Sequence, residues 1–271
     1  MASGKDSNAI SGFFERIGRN TVHGIEEVGN AGVMVAESLY WTFFGFRMKQ
    51  PVRMNAVIQQ MMEIGISAIP IIAMLGGAIS VTLAIQGIHT LRIFGAESHV
   101  TAGLAFVVVR EFAPMITGIL VAGRSGSALA ARIGTMKINQ EIDALKVMGI
   151  NPIRYLVAPP LIAMIIMVPC LTIMSAAVGL FLSGVYINVE LGISLSAFTD
   201  QVIEILTIED IGQGLGKSCI YAIEIAVIGV VNGAGVQGGA EGVGKATTRS
   251  VVQAISAIIV TAMVVVILST F

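Results

Sequence analysis

Two segments of this chain are too long and too apolar to fold as part of a soluble domain. Residues 64–91 and 155–189 contain 28 and 35 residues, and neither segment has an Asp, Glu, Lys or Arg. About 20 apolar residues are enough for a helix to cross the hydrocarbon core of a bilayer, where every backbone polar group must be paired within the protein. Only 12% of all residues are charged, whereas about 25% is usual in soluble domains. The sequence therefore predicts an all-α polytopic membrane protein.

Five segments are predicted to cross the membrane. The long third segment is counted as one crossing, because two helices and a turn would leave few residues for their connection. Pro70 is expected to kink the early turns of the first span. Small residues in the second and fourth spans are expected to let these helices pack closely. The predicted spans lie within residues 64–91, 99–123, 155–189, 218–239 and 250–271.

Residues 1–55 are expected to form helices at the membrane surface, ahead of a five-span domain over residues 56–271. Apolar residues recur at every third or fourth position between residues 13 and 28, which is typical of an amphipathic interfacial helix. Residues 33–46 are apolar but too short to cross, and Tyr40 and Trp41 suit the interface. We expect an elbow helix there that enters the membrane without spanning it.

The distribution of Lys and Arg predicts the orientation. The acidic segment 188–216 has no basic residue, whereas the central loop, residues 124–154, is rich in them. Because Lys and Arg concentrate on the cytoplasmic side, the central loop is predicted to be cytoplasmic. Five spans then place the amino terminus in the cytoplasm and the carboxyl terminus outside. The basic residues of the central loop are Arg124, Arg132, Lys137, Lys146 and Arg154.

A short amphipathic helix is predicted in the central loop, at about residues 135–150. It is expected to start at Thr135 or Asn139 and to end at Gly149, which readily takes a left-handed conformation. From spacing alone, such a helix either lies passively on the membrane or is held by another protein. Its apolar stripe, at steps of four, three and three residues, contains Ile138, Ile142, Leu145 and Met148.

Ionisable residues interrupt the apolar spans. Arg110 and Glu111 lie in the second span, Lys217 opens the fourth, and Glu224 lies two turns inside the fourth. Charges at this depth are costly, so they either form an internal ion pair that fixes packing or take part in function. Adjacent residues on a helix point about 100° apart, so Arg110 and Glu111 cannot easily satisfy only each other. At least one of them needs another partner.

Two nucleotide-like patterns near residue 240 are interpreted as packing and turn glycines. Residues 233–238 match G-x-G-x-x-G, and residues 239–245 match most of a P-loop. A P-loop requires Ser or Thr after its lysine, where this chain has Ala246, and the other pattern must follow a strand. No metal-ligand spacing or catalytic triad is recognisable. We therefore expect no catalysis, metal site or cofactor in this chain.

Motifs in three separated stretches of the chain resemble the MlaE/YrbE family of ABC-transporter permeases, the lipid-transport partners of MCE proteins. The resemblance covers about residues 55–271, with the motifs in the family's order. The motifs are VVREFAPMITGILVAGRSGSAL (108–129), AGRSGSALAARIGTM (122–136), EIDALKVMGINP (141–152) and GVGKATTRSVV (242–252).

The resemblance implies a role for each group of residues. The amphipathic helix would be the coupling helix that docks into a separate ATPase, which binds the ATP and magnesium. Two copies of the chain would pair in a bacterial inner membrane, with an MCE-domain protein on the outer side, and a STAS-domain protein is a further candidate partner. The substrate would be a lipid, most simply a phospholipid. The implied coupling residues are Glu141, Ile142, Asp143, Leu145, Lys146, Met148 and Gly149, and the candidates for the lipid pathway are Arg110, Glu111, Lys217 and Glu224.

Two other functions remain compatible with the residues alone. Arg110, Glu111 and Glu224 could form an ion or proton relay in a secondary transporter or channel that needs no ATPase. The chain could also be a membrane scaffold that only holds an MCE protein.

Overall fold

The computed structural model describes residues 53–270 without a gap and, before them, residues 29, 32, 33, 36, 37 and 40. These six isolated residues are helical. The interfacial and elbow helices expected over residues 1–55 otherwise lie outside the described residues, so they and the domain boundary at residue 55 stay predictions.

Residues 53–270 fold into helices, and five helical segments are long and apolar enough to cross a membrane. The predicted all-α, five-span fold is confirmed. The crossing segments are Met54–Ile93, Glu97–Ile138, Ile153–Leu191, Ile208–Ala234 and Gly239–Ser269. The α-helices are α1 (Met54–Ile64), α2 (Ile69–Ile93), α3 (Val100–Val107), α4 (Ala113–Val121), α5 (Ser127–Ile138), α6 (Glu141–Val147), α7 (Ala158–Leu191), α8 (Leu195–Ile205), α9 (Ile208–Ala234) and α10 (Gly239–Thr270).

The first span is broken near its start, where Pro70 was expected to disturb it. A single 3₁₀ turn, Ile66–Ala68, separates α1 from α2, and Pro70 lies in the first turn of α2. Proline is tolerated there because the first N–H groups of a helix have no intrahelical acceptor. At the other end of α2, Arg92 forms ion pairs with Glu97 (3.2 Å) and Glu190 (3.1 Å). These pairs connect the ends of the first three spans.

The second span is longer than predicted and includes the first part of the predicted central loop. It continues to Ile138 through two π turns, Val108–Phe112 and Ala122–Gly126. Residues 127–138 contain no proline and only one glycine, so nothing in them ends the helix. The chain turns instead at Gln140, whose φ is 60°.

The amphipathic helix therefore starts at Glu141, and its predicted start at Thr135 or Asn139 is wrong. Thr135 still belongs to α5, and Asn139 ends that helix. The predicted end is confirmed, because Gly149, which follows the C-cap residue Met148, has a φ of 72°. The Asn151 side chain then accepts hydrogen bonds from the backbone N–H groups of Ile153 (2.8 Å) and Arg154 (3.4 Å), which starts the third span.

The acidic segment is mostly helical, and the prediction that Lys217 opens the fourth span is wrong. Helix α8 begins after Ser194, whose hydroxyl accepts a hydrogen bond from the Ala197 N–H at 3.2 Å. Helix α9 begins with a capping box, in which Thr207 and Asp210 bond each other's backbone N–H groups. Acidic residues in a first helical turn favour this start, because they face the positive end of the helix dipole. Lys217 consequently lies well inside α9.

The nucleotide-like glycine patterns lie at the turn between α9 and α10. Helix α9 precedes the first pattern, so the strand that a dinucleotide fingerprint needs is not there. Gly238 and Gly239 have φ values of 86° and 71°, which let the chain reverse direction. Helix α10 starts at Gly239, well before the predicted Ser250, because no residue after this turn interrupts the helix.

Three glycines of α9 bring it into close contact with the backbone of the second span. A Cβ atom at Gly214 would stand 2.5 Å from the Val109 carbonyl oxygen. At Gly229 and Gly233 it would stand 3.1 and 2.8 Å from carbonyl oxygens of the second span. Carbonyl oxygens cannot move aside as side chains can, so a larger residue would push the helices apart. The predicted close packing of the second and fourth spans is confirmed.

We predict that Gly214→Ala destabilises the protein by about 1–3 kcal/mol, the usual cost of overpacking. Gly212→Ala is the matched control, because a Cβ there has no atom within 4 Å. This control should leave stability unchanged or raise it by up to about 1 kcal/mol, since alanine is the better helix former. Thermal unfolding of the purified variants in one detergent measures both effects. Equal melting temperatures for Gly214→Ala and the wild type would contradict the close contact.

Candidate functional site

The candidate site is centred on the first π turn of the second span, Val108–Phe112, which contains Arg110 and Glu111. A π turn widens the helix by one residue and is frequent at functional sites. Pro114 follows directly in the first turn of α4. It has no N–H to donate to the carbonyl of Arg110, four residues earlier. The local sequence thus leaves a polar backbone group in need of a donor.

Lys217 supplies that donor and also pairs with Glu111. Its side chain is 1% exposed, and its Nζ donates to Glu111 Oε1 at 2.5 Å and to the Arg110 carbonyl at 3.2 Å. Such an ammonium group cannot stay charged in a bilayer without partners of this kind. The pair therefore fixes the fourth span against the π turn of the second.

Arg110 also finds its partners on the fourth span. Its Nε donates to Gln213 Oε1 at 2.5 Å, and its Nη1 lies 3.4 Å from Asp210 Oδ1. Asp210, Gln213 and Lys217 follow a helical spacing of three and four residues, which places them on one face of α9. The expectation that Arg110 and Glu111 need further partners is confirmed.

This charge cluster, defined as Arg110, Glu111, Asp210, Gln213 and Lys217, contains two positive and two negative side chains. Lys217 and Asp210 are enclosed, whereas the Arg110 and Glu111 side chains remain 33% and 34% exposed. About a third of the Arg110 side chain thus stays exposed at membrane depth. An exposed guanidinium donates paired hydrogen bonds well suited to a phosphate or carboxylate group.

Glu224 lies apart from the charge cluster. It is seven residues beyond Lys217, about 10 Å along the helix. Thr261 of α10 donates a hydrogen bond to Glu224 Oε1, while Oε2 is buried and has no hydrogen bond in the described part of the chain. Among the described residues, no three His, Cys, Asp or Glu side chains gather as metal ligands would. Three of the four predicted pathway residues therefore meet, and the fourth connects α9 to α10.

The predicted coupling residues divide between two sides of α6. Leu145 is 8% exposed, and Ile142 packs against the main hydrophobic core. On the outer side, Lys146 and Asp143 form an ion pair (3.2 Å), and Met148 is 63% exposed. The expected apolar stripe is thus interrupted, because Ile138 belongs to α5. Helix α6 is attached to the bundle on one side and open to a partner on the other.

Sequence reasoning missed four residues of the site. Asp210 and Gln213 were assigned to an acidic loop, although the pattern T-x-x-D at residues 207–210 indicates a helix start and the spacing to Lys217 one helical face. The same helical spacing places Gly214, four residues after Asp210, on this face of α9. No sequence pattern indicates Thr261. Its contact with Glu224 joins α9 to α10, and the sequence does not determine how these two helices are rotated about their axes.

We predict that Lys217→Met lowers the free energy of unfolding by about 2–4 kcal/mol, because it leaves the Glu111 carboxylate unpaired at membrane depth. Combining it with Glu111→Gln should restore much of the loss, since no buried charge then lacks a partner. Thermal unfolding of the two single variants and the double variant gives the coupling energy. Strictly additive effects would show that the 2.5 Å contact contributes nothing.

The sequence matches the model of one protein family and is similar to proteins from several other organisms. The model of the family described as Permease MlaE matches residues 57–268. An intermembrane phospholipid transport system permease protein, MlaE, of Haemophilus influenzae is 31% identical over 249 residues, 90% of this chain and 92% of the relative. A probable ABC transporter permease protein of Rickettsia typhi is 33% identical over 207 residues, 75% of this chain and 79% of the relative. The chloroplastic protein TRIGALACTOSYLDIACYLGLYCEROL 1 of Arabidopsis thaliana is 32% identical over 213 residues, 79% of this chain and 61% of the relative.

The family match covers most of the chain and includes the charge cluster and α6. The relatives named as permeases align over most of their own length. Together with the five apolar helices, these matches indicate a multi-pass membrane protein. The chain therefore belongs to the MlaE family of ABC transporter permeases.

Proposed function

We propose that this chain is the membrane subunit of an ATP-driven transporter that moves a phospholipid between a bacterial inner membrane and the outer envelope. The observation that carries the proposal is the charge cluster, a set of ionisable side chains at membrane depth with Arg110 partly open. The name of the Haemophilus influenzae relative, an intermembrane phospholipid transport permease, supports the choice of substrate. Family membership favours an ABC transporter over an ion-coupled one.

The charge cluster suits the passage of a headgroup. A phospholipid crossing the bundle must bring its phosphate through a medium of low dielectric constant, where an unpaired charge is very costly. Arg110 and Lys217 offer positive charge there, and Asp210 and Glu111 keep the cluster neutral while no lipid is bound. In this proposal Arg110 and Glu111 line the pathway and the enclosed Lys217 holds them in place from α9. Glu224 with Thr261 forms a contact between α9 and α10 that changes as the pathway opens.

The energy would enter through α6. This proposal assigns ATP and magnesium to a separate ATPase subunit that binds the exposed side of α6, at Glu141, Asp143, Lys146 and Met148. Ile142 packs the same helix against the bundle core, and Leu145 is buried beneath it. Movement of the ATPase would thus be transmitted to the helices, as in other domain closures around a ligand. Gly149 and Gln140, both left-handed, form the two turns that hold α6.

A second copy of the chain would cover α10. The fifth span is the least buried of the five, with 11% of its most apolar window buried within the chain. Its exposed side chains include Ile259, Val260 and Met263. Pairing of two copies along this helix would enclose a lipid-sized space beside Glu224.

The proposed orientation follows the positive charges. Helix α6, the amino terminus and the ATPase lie in the cytoplasm, whereas α8, the carboxyl terminus and an MCE-domain partner lie on the periplasmic side. A STAS-domain protein is a further proposed partner on the cytoplasmic side.

We predict that Lys146→Glu combined with Met148→Arg reduces copurification of the ATPase on the order of tenfold, as expected for central residues of an interface. Both side chains are exposed, so the fold should be unaffected. The control is Ile203→Arg on α8, a side chain that is 76% exposed on the opposite side of the membrane in this proposal. The control should retain the ATPase fully.

The measurement is the amount of ATPase retained by the tagged permease after purification from cells that express the whole complex. Unchanged retention by the α6 variant would remove α6 from the coupling interface. Loss of the ATPase in the α8 control alone would reverse the proposed orientation.

A further inference from the structure

A polar cavity lies about 20 Å from the charge cluster, since Arg110 and Arg124 are 14 residues apart on the second span. Its volume is about 290 Å³. It lies between the end of α1 and the second π turn of the second span. Its polar lining consists of Gln60, Glu63, Arg124, Ser125 and Arg132.

The charged side chains that line this cavity form no ion pairs with each other. Arg132 donates to Gln60 Oε1 at 2.9 Å, and Gln60 Nε2 donates to Glu63 Oε2 at 3.3 Å. The Arg124 side chain has no hydrogen bond or ion pair with any described residue, and Glu63 forms no ion pair with either arginine. The cavity thus holds two guanidinium groups and one carboxylate that are separated within a common space. A ligand with both a negative and a positive group would complement them.

The cavity is at the depth of lipid headgroups. Glu63 is the last charged residue before the uncharged segment 64–91, and Arg124 is the first after the uncharged segment 112–123. Such boundaries mark the membrane interface. The floor of the cavity is apolar and includes Ile64, Leu129 and Met164. A phosphate with a short amino alcohol fits this volume, whereas two acyl chains do not and would lie along the outer surface of the spans.

We propose that this cavity binds the headgroup of an amine-bearing phospholipid in the leaflet on the α6 side. Arg124 and Arg132 hold the phosphate through charge-assisted hydrogen bonds, and Glu63 holds the ammonium group. The site prefers a zwitterionic headgroup to one whose only charge is the phosphate, because only the ammonium group gives the Glu63 carboxylate a positive partner. This site is separate from the charge cluster, and it depends on the membrane placement of the chain but not on the direction of transport.

The test is native mass spectrometry of the purified complex from mixed micelles with equal amounts of phosphatidylethanolamine and phosphatidylglycerol. The wild type should retain phosphatidylethanolamine preferentially. Arg124→Gln should weaken retention of both lipids about tenfold to a hundredfold, the effect of losing a charged hydrogen bond. Arg124→Lys should retain more lipid than Arg124→Gln, and Glu63→Gln should lose the preference between the two lipids while still binding both.

Lys245→Gln is the control, because Lys245 is 77% exposed, pairs with Glu241 and lies outside this cavity. It should bind lipid as the wild type does, and all variants should keep the ATPase if they are folded. Equal lipid retention by Arg124→Gln and the control would overturn the proposal. Displacement of the lipid by millimolar inorganic phosphate would assign the cavity to free phosphate, and loss of the ATPase with unchanged lipid would assign it to the protein interface. If the complex does not transport lipid, these binding results still decide whether the cavity binds a headgroup, so the two proposals fail independently.

Discussion

A charge inside a bilayer must be paired within the protein, and the described structure depends on how this chain meets that requirement. Arg110 and Glu111 are adjacent in sequence and cannot pair with each other, so both reach across to the fourth span. Their partners come within reach only because Gly214 brings α9 against the Val109 carbonyl. The π turn and Pro114 add an unsatisfied carbonyl, to which Lys217 donates. Buried ion pairs contribute little net stability, so their specificity in fixing one helix arrangement matters more.

The second span connects the proposed functional regions in one helical segment. It carries Arg110 at membrane depth and Arg124 at the interface, and it ends at Ile138, directly before the turn into α6. A helix is stiff along its axis, so in the proposed mechanism displacement of α6 would be transmitted toward the π turn at Arg110. The π turns are the places where such a helix can change its hydrogen bonding at small cost. This continuity makes the second span the element through which an ATPase could act on the charge cluster.

The sequence predicted what hydrophobicity and local chemistry determine. The five spans follow from the lengths of the apolar segments, and the end of α6 follows from Gly149. The need of Arg110 and Glu111 for partners other than each other follows from helix geometry. The predicted helix starts are wrong where they rest on apolarity alone. Lys217 was placed at the membrane boundary, although the capping residues Thr207 and Asp210 start the helix earlier. The Thr261 contact and the cavity at Arg124 could not be predicted, because both depend on how spans distant in sequence are rotated against each other.

The proposed ATP-driven transport is tested most directly by transfer of a labelled phospholipid from vesicles that contain this chain with the proposed ATPase and MCE-domain partners. We expect transfer that requires ATP hydrolysis and that falls sharply in Glu111→Gln while the bound ATPase still hydrolyses ATP. Transfer that proceeds without nucleotide and follows an imposed proton or ion gradient would contradict it.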